Sequence, residues 1–185
     1  MRHHLTMLEG LIAAGKPEQA SQYIRKVQSD IETITPRRYC ENELVDLLCS
    51  SFAEKAQHAG ARLDVDAKLP RELGISDAEL CAVLSNALEN ALHAVAELPE
   101  EQRTVSLYCA LRLGKLLIEV KNPYAGELTI SPDGRPVTAR KGHGYGCRSI
   151  QTIAARTGGL CEFKAQNGIF CLQIVLPLKN AVAPV

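Results

Sequence analysis

A predicted helix that begins at Ser76 carries two asparagines and a histidine on one face. Asn86, Asn90 and His93 follow one another at spacings of four and three residues, so they stack on the same side of the helix. Asparagine is a poor helix former, and two on one face indicate a role beyond contact with water. Amide oxygens can complete the coordination of Mg²⁺ beside phosphates and water. An ordinary solvated face is the alternative that this feature alone leaves open.

A second feature is a run of alternating glycines that leads directly into a predicted helix. Gly142, Gly144 and Gly146 precede a helix expected from about Gly146 to Thr157. The free N–H groups at a helix start bind phosphate, and the helix dipole favours negative charge there. Glycine also lets the backbone approach a ligand closely. The run therefore predicts a phosphate site, although a glycine-rich loop alone is weak evidence.

A third feature lies at the end of a predicted strand, in the sequence Val120-Lys121-Asn122-Pro123. An asparagine amide both donates and accepts hydrogen bonds, so Asn122 could read the edge of a base. Asn-Pro also favours turns, and on this feature alone a turn is the preferred interpretation.

The elements that would position these residues alternate between helical and strand periods. Helices are predicted at about 41–59, where Gly60 ends the helix, and from Ser76, where Glu79 completes a capping box, to about Ala96. The helix from Ser76 has an apolar stripe opposite its polar face, formed by Leu80, Leu84, Ala87, Leu88, Ala91 and Val95. Strands are predicted at 61–66, 103–113, 115–121, 160–166 and 169–176. This mixture predicts an α+β fold with helices covering one face of a mostly antiparallel sheet.

The stretch 123–145 differs from its surroundings because it is rich in proline and glycine and has little apolar periodicity. A connection of that length inside a compact domain is usually functional or mobile. We therefore expect residues 125–143 to be mobile without a ligand.

Two further helices are predicted at the start of the chain. The first follows from the spacing of Leu5, Leu8 and Ile12, and Gly15-Lys16-Pro17 then breaks the pattern. The second carries a seam with spacings of four and three, formed by Ala20, Ile24, Val27, Ile31 and Ile34. This seam predicts a hairpin that dimerises. An ordinary two-helix extension docked on its own domain is the alternative.

Composition excludes several classes of protein. The net charge is zero, so bulk charge gives no reason to expect binding to nucleic acid or to a membrane surface. No apolar run approaches the roughly 18 residues that a membrane-spanning helix needs, and no signal peptide is visible. The seven cysteines form no C-x-x-C pair, which disfavours zinc and disulfide frameworks and favours a reducing cytoplasm.

Taken in order, residues 40–178 resemble the GHKL ATP-binding fold shared by gyrase, a heat-shock chaperone, histidine kinases and mismatch-repair ATPases. Asn86-x-x-x-Asn90 resembles the N box, Gly144-x-Gly146 the G2 box, and residues 123–143 the ATP lid. The motifs are most similar to those of quorum-sensing-type histidine kinases, in which Asn-Ala-Leu-Glu-Asn-Ala and His-Gly-Tyr-Gly recur. An Asn-Pro segment replaces the adenine box there, as at Asn122-Pro123.

The resemblance implies a two-layer α/β sandwich of the Bergerat type at residues 40–180, preceded by a partial dimerisation and phosphotransfer hairpin at residues 1–36. It implies ATP and Mg²⁺ as cofactors, with the metal held by Asn90 and Asn86. The implied nucleotide-binding residues are Asn86, Asn90, His93, Asn122, Lys141, His143, Gly144, Tyr145, Gly146 and Cys147. His93 departs from the basic residue that many histidine kinases have at this position.

The start of the chain is similar to the end of the His-Asp-x-Arg-[His/Asn]-His-Leu run that contains the acceptor histidine of these kinases. By this register the acceptor precedes Met1, and His3 and His4 of Arg2-His3-His4-Leu5 are its neighbours. One of these two histidines acting as the acceptor is the alternative.

The implied function is that of a histidine kinase core, which transfers the γ-phosphoryl group to a histidine on the hairpin and then to a response regulator. The expected assembly is a homodimer through the hairpin, in the cytoplasmic part of a membrane-anchored parent protein. An ATPase would need a carboxylate at position 86 to activate water, where this chain has Asn86, although the carboxylate of Glu89 is nearby. Asn86 and Glu89 are the candidate catalytic residues of this helix. An anti-sigma-type serine kinase of the same fold is a second rival function, and a non-catalytic dimerisation module is a third.

Overall fold

A computed structural model describes residues 2–24, 38–137 and 145–178 of the chain. The chain divides into two compact units, residues 1–37 and residues 38–185.

The first unit contains two helices within its described residues. Helix α1 spans Arg2–Ala13, and helix α2 occupies residues 17–24. Pro17 is the first helical residue of α2, a position that suits proline because it has no N–H to leave unpaired there. Ala20 is buried, whereas Ile24 is 41% exposed. The rest of the predicted seam, Val27, Ile31 and Ile34, lies outside the described residues, so dimerisation stays a prediction.

The second unit has three α-helices and one short 3₁₀ helix within its described residues. Helix α3 spans Glu43–His58, α4 spans Asp77–Val95, and α5 spans Tyr145–Arg156, while Glu100–Gln102 form the 3₁₀ turn. All three α-helices agree with the sequence prediction to within about two residues at each end, the usual scatter of helix boundaries.

The capping box predicted at the start of α4 does not form. Ser76 is the N-cap residue, but its side chain makes no capping hydrogen bond. Glu79 instead accepts a hydrogen bond from Arg156 of α5 at 2.8 Å. A charge-assisted bond to arginine is stronger than one to a neutral backbone N–H, so Glu79 binds the distant Arg156 and not the backbone at the start of its own helix.

Five strands form one sheet in the order β1-β2-β3-β7-β6. Their bounds are Arg62–Lys68 for β1, Thr104–Arg112 for β2, Lys115–Pro123 for β3, Leu160–Gln166 for β6 and Ile169–Pro177 for β7. In this sheet the β1–β2 pairing is parallel, and the other three pairings are antiparallel. The prediction of a mixed, mostly antiparallel sheet is therefore confirmed.

Two tight turns set the register of the antiparallel strands. Leu113 and Gly114 connect β2 to β3, and Asn167 and Gly168 connect β6 to β7, all with positive φ. A two-residue turn with positive φ at both positions matches the twist of the strands it joins. Strand β3 continues through Asn122 and Pro123, which pair with Phe170 and Ile169 of β7. The preference for a turn at Asn122-Pro123 is therefore wrong.

The three helices cover one face of the sheet and enclose the core of the second unit. Residues of β3 alternate between the buried Leu116, Ile118 and Val120 and outward-facing residues such as Lys115. The apolar stripe of α4 faces this buried side, and its Leu84 and Leu88 are fully buried. The predicted α+β class, with helices on one sheet face, is confirmed.

A small hairpin occupies part of the stretch in which no regular structure is expected from sequence. Strand β4 is Thr129–Ile130 and strand β5 is Pro136–Val137, and the two pair with each other in a separate sheet. Ser131 begins the connecting turn and its carbonyl accepts from the Gly134 N–H at 2.8 Å. The sequence run Ser-Pro-Asp-Gly is a typical turn signal, with proline at the second position.

None of the helices within the described ranges is long and apolar enough to cross a membrane. All seven cysteines are free thiols, and Cys40, Cys49 and Cys109 are buried in the core.

Candidate functional site

The start of α5 packs directly against the polar face of α4. A β-carbon added to Gly146 would lie 2.9 Å from Nδ2 of Asn90 and 3.0 Å from Oδ1 of Asn86. A β-carbon at the shorter of these distances requires its neighbour to shift, so glycine is the residue that fits position 146 without displacing the Asn90 amide. Two motifs that lie almost 60 residues apart in sequence therefore meet in one place.

The amide groups of both asparagines are oriented by their neighbours. Asn86 donates from Nδ2 to the carbonyl oxygen of Ala82 at 2.6 Å, within α4. Asn90 donates from Nδ2 to Sγ of Cys147 at 3.7 Å. Because the NH₂ groups are used in this way, the two Oδ1 atoms remain as acceptors or metal ligands on the side of Gly146.

Helix α5 is held in this position from its other end. Arg156, in its last turn, forms an ion pair with Glu79 in the first turn of α4 at 2.8 Å. Ile150, Ile153 and Ala154 are buried in the core and anchor the middle of the helix. The two helices consequently run antiparallel, and the N-terminus of α5 faces Asn86 and Asn90.

Two other residues of the predicted site on α4 lie at its surface. Glu89 and His93 are both exposed, whereas Asn86 and Asn90 are half-buried. The contacts that surround Gly146 come from the two asparagines. Of the predicted α4 residues, Asn86 and Asn90 supply the three atoms nearest to an added β-carbon at Gly146.

Asn122 occupies a buried position on the core side of the sheet. Its exposed fraction is 2%, and its side chain alternates along β3 with those of the buried aliphatic residues. Its Nδ2 donates to the carbonyl oxygen of Pro123 at 2.9 Å, which satisfies one of the two amide groups. A buried amide on the side of the sheet that carries α4 is consistent with a residue that recognises a polar ligand edge.

A cavity of about 300 Å³ lies between the β4–β5 hairpin and the start of α5. Ser131, Asp133, Arg135 and Pro136 line it from the hairpin, and Cys147 lines it from α5. Sequence reasoning selects Cys147 but misses the four hairpin residues, because Ser-Pro-Asp-Gly-Arg resembles an ordinary turn. Only the cavity that they share with Cys147 distinguishes them.

Several predicted site residues cannot be placed. Lys141, His143 and Gly144 lie outside the described residues. Tyr145 is the first residue of α5, and His3 and His4 belong to α1, but their side chains lie outside the described part.

The residues of the site fit a phosphate chain with Mg²⁺. Asn86 and Asn90 offer two amide oxygens, and the first turn of α5 offers backbone N–H groups beside a glycine with no side chain. Burial raises the pKa of the Cys147 thiol, so it is neutral near pH 7 and adds no negative charge. Among the described residues, no three His, Cys, Asp or Glu side chains are grouped to hold a metal, so a metal here would depend on amides, phosphates and water.

A comparison with protein families matches residues 75–177 to the family described as GHKL domain. These residues include α4, the β4–β5 hairpin, α5 and four of the five strands of the main sheet. The match covers more than half of the 185 residues. The chain belongs to the GHKL domain family. A search of curated proteins finds no significant match.

Solved structures with the same GHKL fold include histidine kinases. The nucleotide-free catalytic domain of histidine kinase ThkA has a TM-score of 0.56 and 18% identity, covering 73% of this chain and 90% of that one. Full-length ShkA in complex with AMPPNP has a TM-score of 0.57 and 21% identity, covering 77% of this chain and 31% of that one. Acinetobacter baumannii histidine kinase AdeS has a TM-score of 0.54 and 14% identity, covering 97% of both chains. These identities are low, so the likeness establishes the fold of a histidine kinase catalytic domain and not its partners.

Proposed function

We propose that this GHKL domain is the kinase core of a sensor histidine kinase and that it binds ATP with Mg²⁺. The single observation that carries the proposal is the contact of Gly146 with Asn86 and Asn90. It puts two amide oxygens, a helix N-terminus and a backbone without a side chain at one point. A phosphate chain with its metal ion uses all three.

Each residue of the site has a definite role in this proposal. Asn90 and Asn86 would hold Mg²⁺, which would neutralise charge on the phosphates. The N–H groups that follow Gly146 bind phosphate oxygens. Asn122 contacts the base with its amide oxygen, because its Nδ2 already donates to Pro123. The protein supplies positioning and charge, which is what phosphoryl transfer demands.

The acceptor in this proposal is a histidine of a helical hairpin in a dimer, and a response regulator receives the phosphoryl group afterwards. The two-unit organisation supports an acceptor on a separate helical segment, since residues 1–37 form their own compact unit. The quorum-sensing subclass rests on the motifs around Asn86, Asn122 and Gly144. The membrane-anchored parent belongs to the same proposal.

Hydrolysis of ATP by this chain is the less favoured function. A hydrolase needs a base next to the attacking water, and an amide at position 86 cannot accept a proton near neutral pH. The nearest carboxylate on α4, Glu89, is exposed and is not among the closest atoms around Gly146. Both observations favour transfer to an external acceptor.

Calorimetric titration with ATP, in Mg²⁺ and in EDTA, tests the proposal. Wild type should bind more tightly in Mg²⁺, and Asn90→Ala should lose the difference, about tenfold in affinity if one metal ligand contributes ~1.4 kcal/mol. Ser85→Ala, a half-buried change on the same helix, is the control and should bind like wild type. A wild-type chain that binds no ATP would reject the proposed function. Equal affinity of the wild type for ATP in Mg²⁺ and in EDTA would reject the proposed Mg²⁺ site.

A further inference from the structure

The cavity between the β4–β5 hairpin and α5 connects an arginine to the proposed phosphate site. Arg135 of the hairpin and Cys147 of α5 line the same 300 Å³ cavity. Sγ of Cys147 in turn accepts from Nδ2 of Asn90 at 3.7 Å. Arg135 therefore lines a cavity that adjoins the asparagine pair through Cys147, although it is 45 residues from Asn90 in sequence.

The proposed ligand needs such a cation. A triphosphate carries more negative charge than one Mg²⁺ neutralises. The amide side chains of Asn86 and Asn90 are neutral, and the helix N-terminus contributes only about half a positive charge. An arginine binds phosphate oxygens through a planar fork of N–H donors, and these charge-assisted bonds are the strong ones.

We propose that Arg135 binds the phosphate chain of the nucleotide and that Asp133 holds the arginine when the site is empty. This inference depends on the proposed function, since it assigns a further residue to the same site. It differs from the predicted phosphate contacts, which come from α4 and from the glycine-rich start of α5.

The contacts of the hairpin explain how Asp133 competes for the arginine. Nε of Arg135 donates to Oδ2 of Asp133 at 2.6 Å, and the second guanidinium nitrogen donates to the same oxygen. The Ser131 hydroxyl donates to the other carboxylate oxygen. The Ser131 hydroxyl, followed by the Arg135 guanidinium, holds the pKa of Asp133 below its ordinary value. The carboxylate is therefore charged throughout the neutral range, and the competition persists there.

The pair is also poised for exchange of partners. Arg135 and Asp133 are 41% and 48% exposed, so their ion pair is weakened by water. A phosphate chain with several oxygens can replace a single carboxylate oxygen on the guanidinium. After the exchange Asp133 keeps the hydroxyl of Ser131 as a partner.

The test compares ATP–Mg²⁺ and AMP binding by the whole chain with Arg135 and Asp133 changed. Arg135→Gln should weaken ATP binding about tenfold or more and leave AMP nearly unchanged, because charge-assisted bonds to the phosphate chain are lost. Arg135→Lys should recover part of the loss. Asp133→Asn should bind ATP more tightly than wild type, because the competing carboxylate is gone.

Arg62→Gln is the matched control. Arg62 forms the same kind of ion pair with an aspartate two residues away, Asp64, but on β1 at the edge of the main sheet. The Arg62→Gln variant should bind ATP with wild-type affinity. Wild-type affinity for ATP in Arg135→Gln would overturn the inference, and so would equal weakening of ATP and AMP, which would indicate a distorted hairpin. Absence of ATP binding by wild type would instead reject the proposed function itself.

Discussion

At the scale of single residues, the site depends on a glycine that has no room for a side chain. Gly146 is helical, so its backbone angles do not demand glycine. Glycine is required because side-chain atoms of Asn86 and Asn90, on helix α4, would lie within 3.0 Å of a β-carbon at position 146. A sequence pattern shows that a glycine is present, but it does not show which atoms exclude a larger residue.

Gly146→Ala should impair nucleotide binding more than folding. The added methyl group must displace the Asn90 amide, and losing one well-placed metal ligand or phosphate contact should weaken ATP–Mg²⁺ binding about tenfold. Thermal stability should change little, because alanine favours the helix by about 1 kcal/mol over glycine and offsets part of the strain.

Gly10→Ala is the matched control for that experiment. Gly10 is also helical, in α1, and nothing lies within 4 Å of its added β-carbon. It should leave ATP affinity unchanged. Wild-type affinity in Gly146→Ala, with an intact melting curve, would contradict the role of the close contact.

Asn122 shows why residue types alone are ambiguous. Asn-Pro is a turn signal, and by itself it predicts that Asn122 starts a turn. Nine consecutive register pairs between β3 and β7 carry the strand through it instead. Pairing with Phe170 across the sheet outweighs the local preference of the dipeptide, because context commonly overrides local preference in strands.

At the scale of elements, helices α3 and α4 differ in how their N-cap residues bond to the helix start. Asn42 caps α3, since its Oδ1 accepts from the Val45 N–H at 3.0 Å and its Nδ2 donates to the Arg71 carbonyl at 2.9 Å. Ser76 stands at the corresponding position of α4 but makes no capping hydrogen bond. Both residues belong to the preferred N-cap types, so the sequence could not separate them.

Asn42→Ala should therefore destabilise the second unit by about 2 kcal/mol, through the lost cap and the lost bond to Arg71. Ser76→Ala should cost less than about 0.5 kcal/mol, since no bond is lost. Urea unfolding followed by circular dichroism measures both. Equal losses in the two variants would show that the difference between the caps has no energetic consequence.

The β4–β5 hairpin is the element that sequence periodicity missed. Each of its strands has only two residues, too few for a period to be visible. Its place in the molecule is set by packing, since Ile130 contacts the core and Arg135 lines the same cavity as Cys147. Short hairpins are marginal by themselves, so this one depends on its neighbours.

At the scale of the whole molecule, the chain consists of a helical unit and a GHKL domain. The seam of Ile24, Val27, Ile31 and Ile34 predicts that the helical unit pairs with a second copy. A hairpin of this size buries little surface, so the dimer should be weak and should dissociate on dilution.

Ile31→Glu should shift this chain towards the monomer, because a charge on the seam would lose its water on association. Ser29→Glu adds the same charge away from the seam and should leave the association constant unchanged. Sedimentation equilibrium at several concentrations measures both. A wild-type chain that is monomeric at the highest concentration would show that the seam does not mediate self-association.

The sequence by itself determined the order of the α-helices and of the five strands of the main sheet, the fold class and the three motifs, because these depend on periods and turn residues close together in the chain. The tertiary structure alone decided that Asn86 and Asn90 meet Gly146, that Glu79 binds Arg156 and not its own helix start, and that Arg135 and Cys147 line one cavity. These are contacts between distant segments. They follow from how α4, α5 and the hairpin pack on one sheet, and side-chain packing over such distances leaves no periodic trace in the sequence.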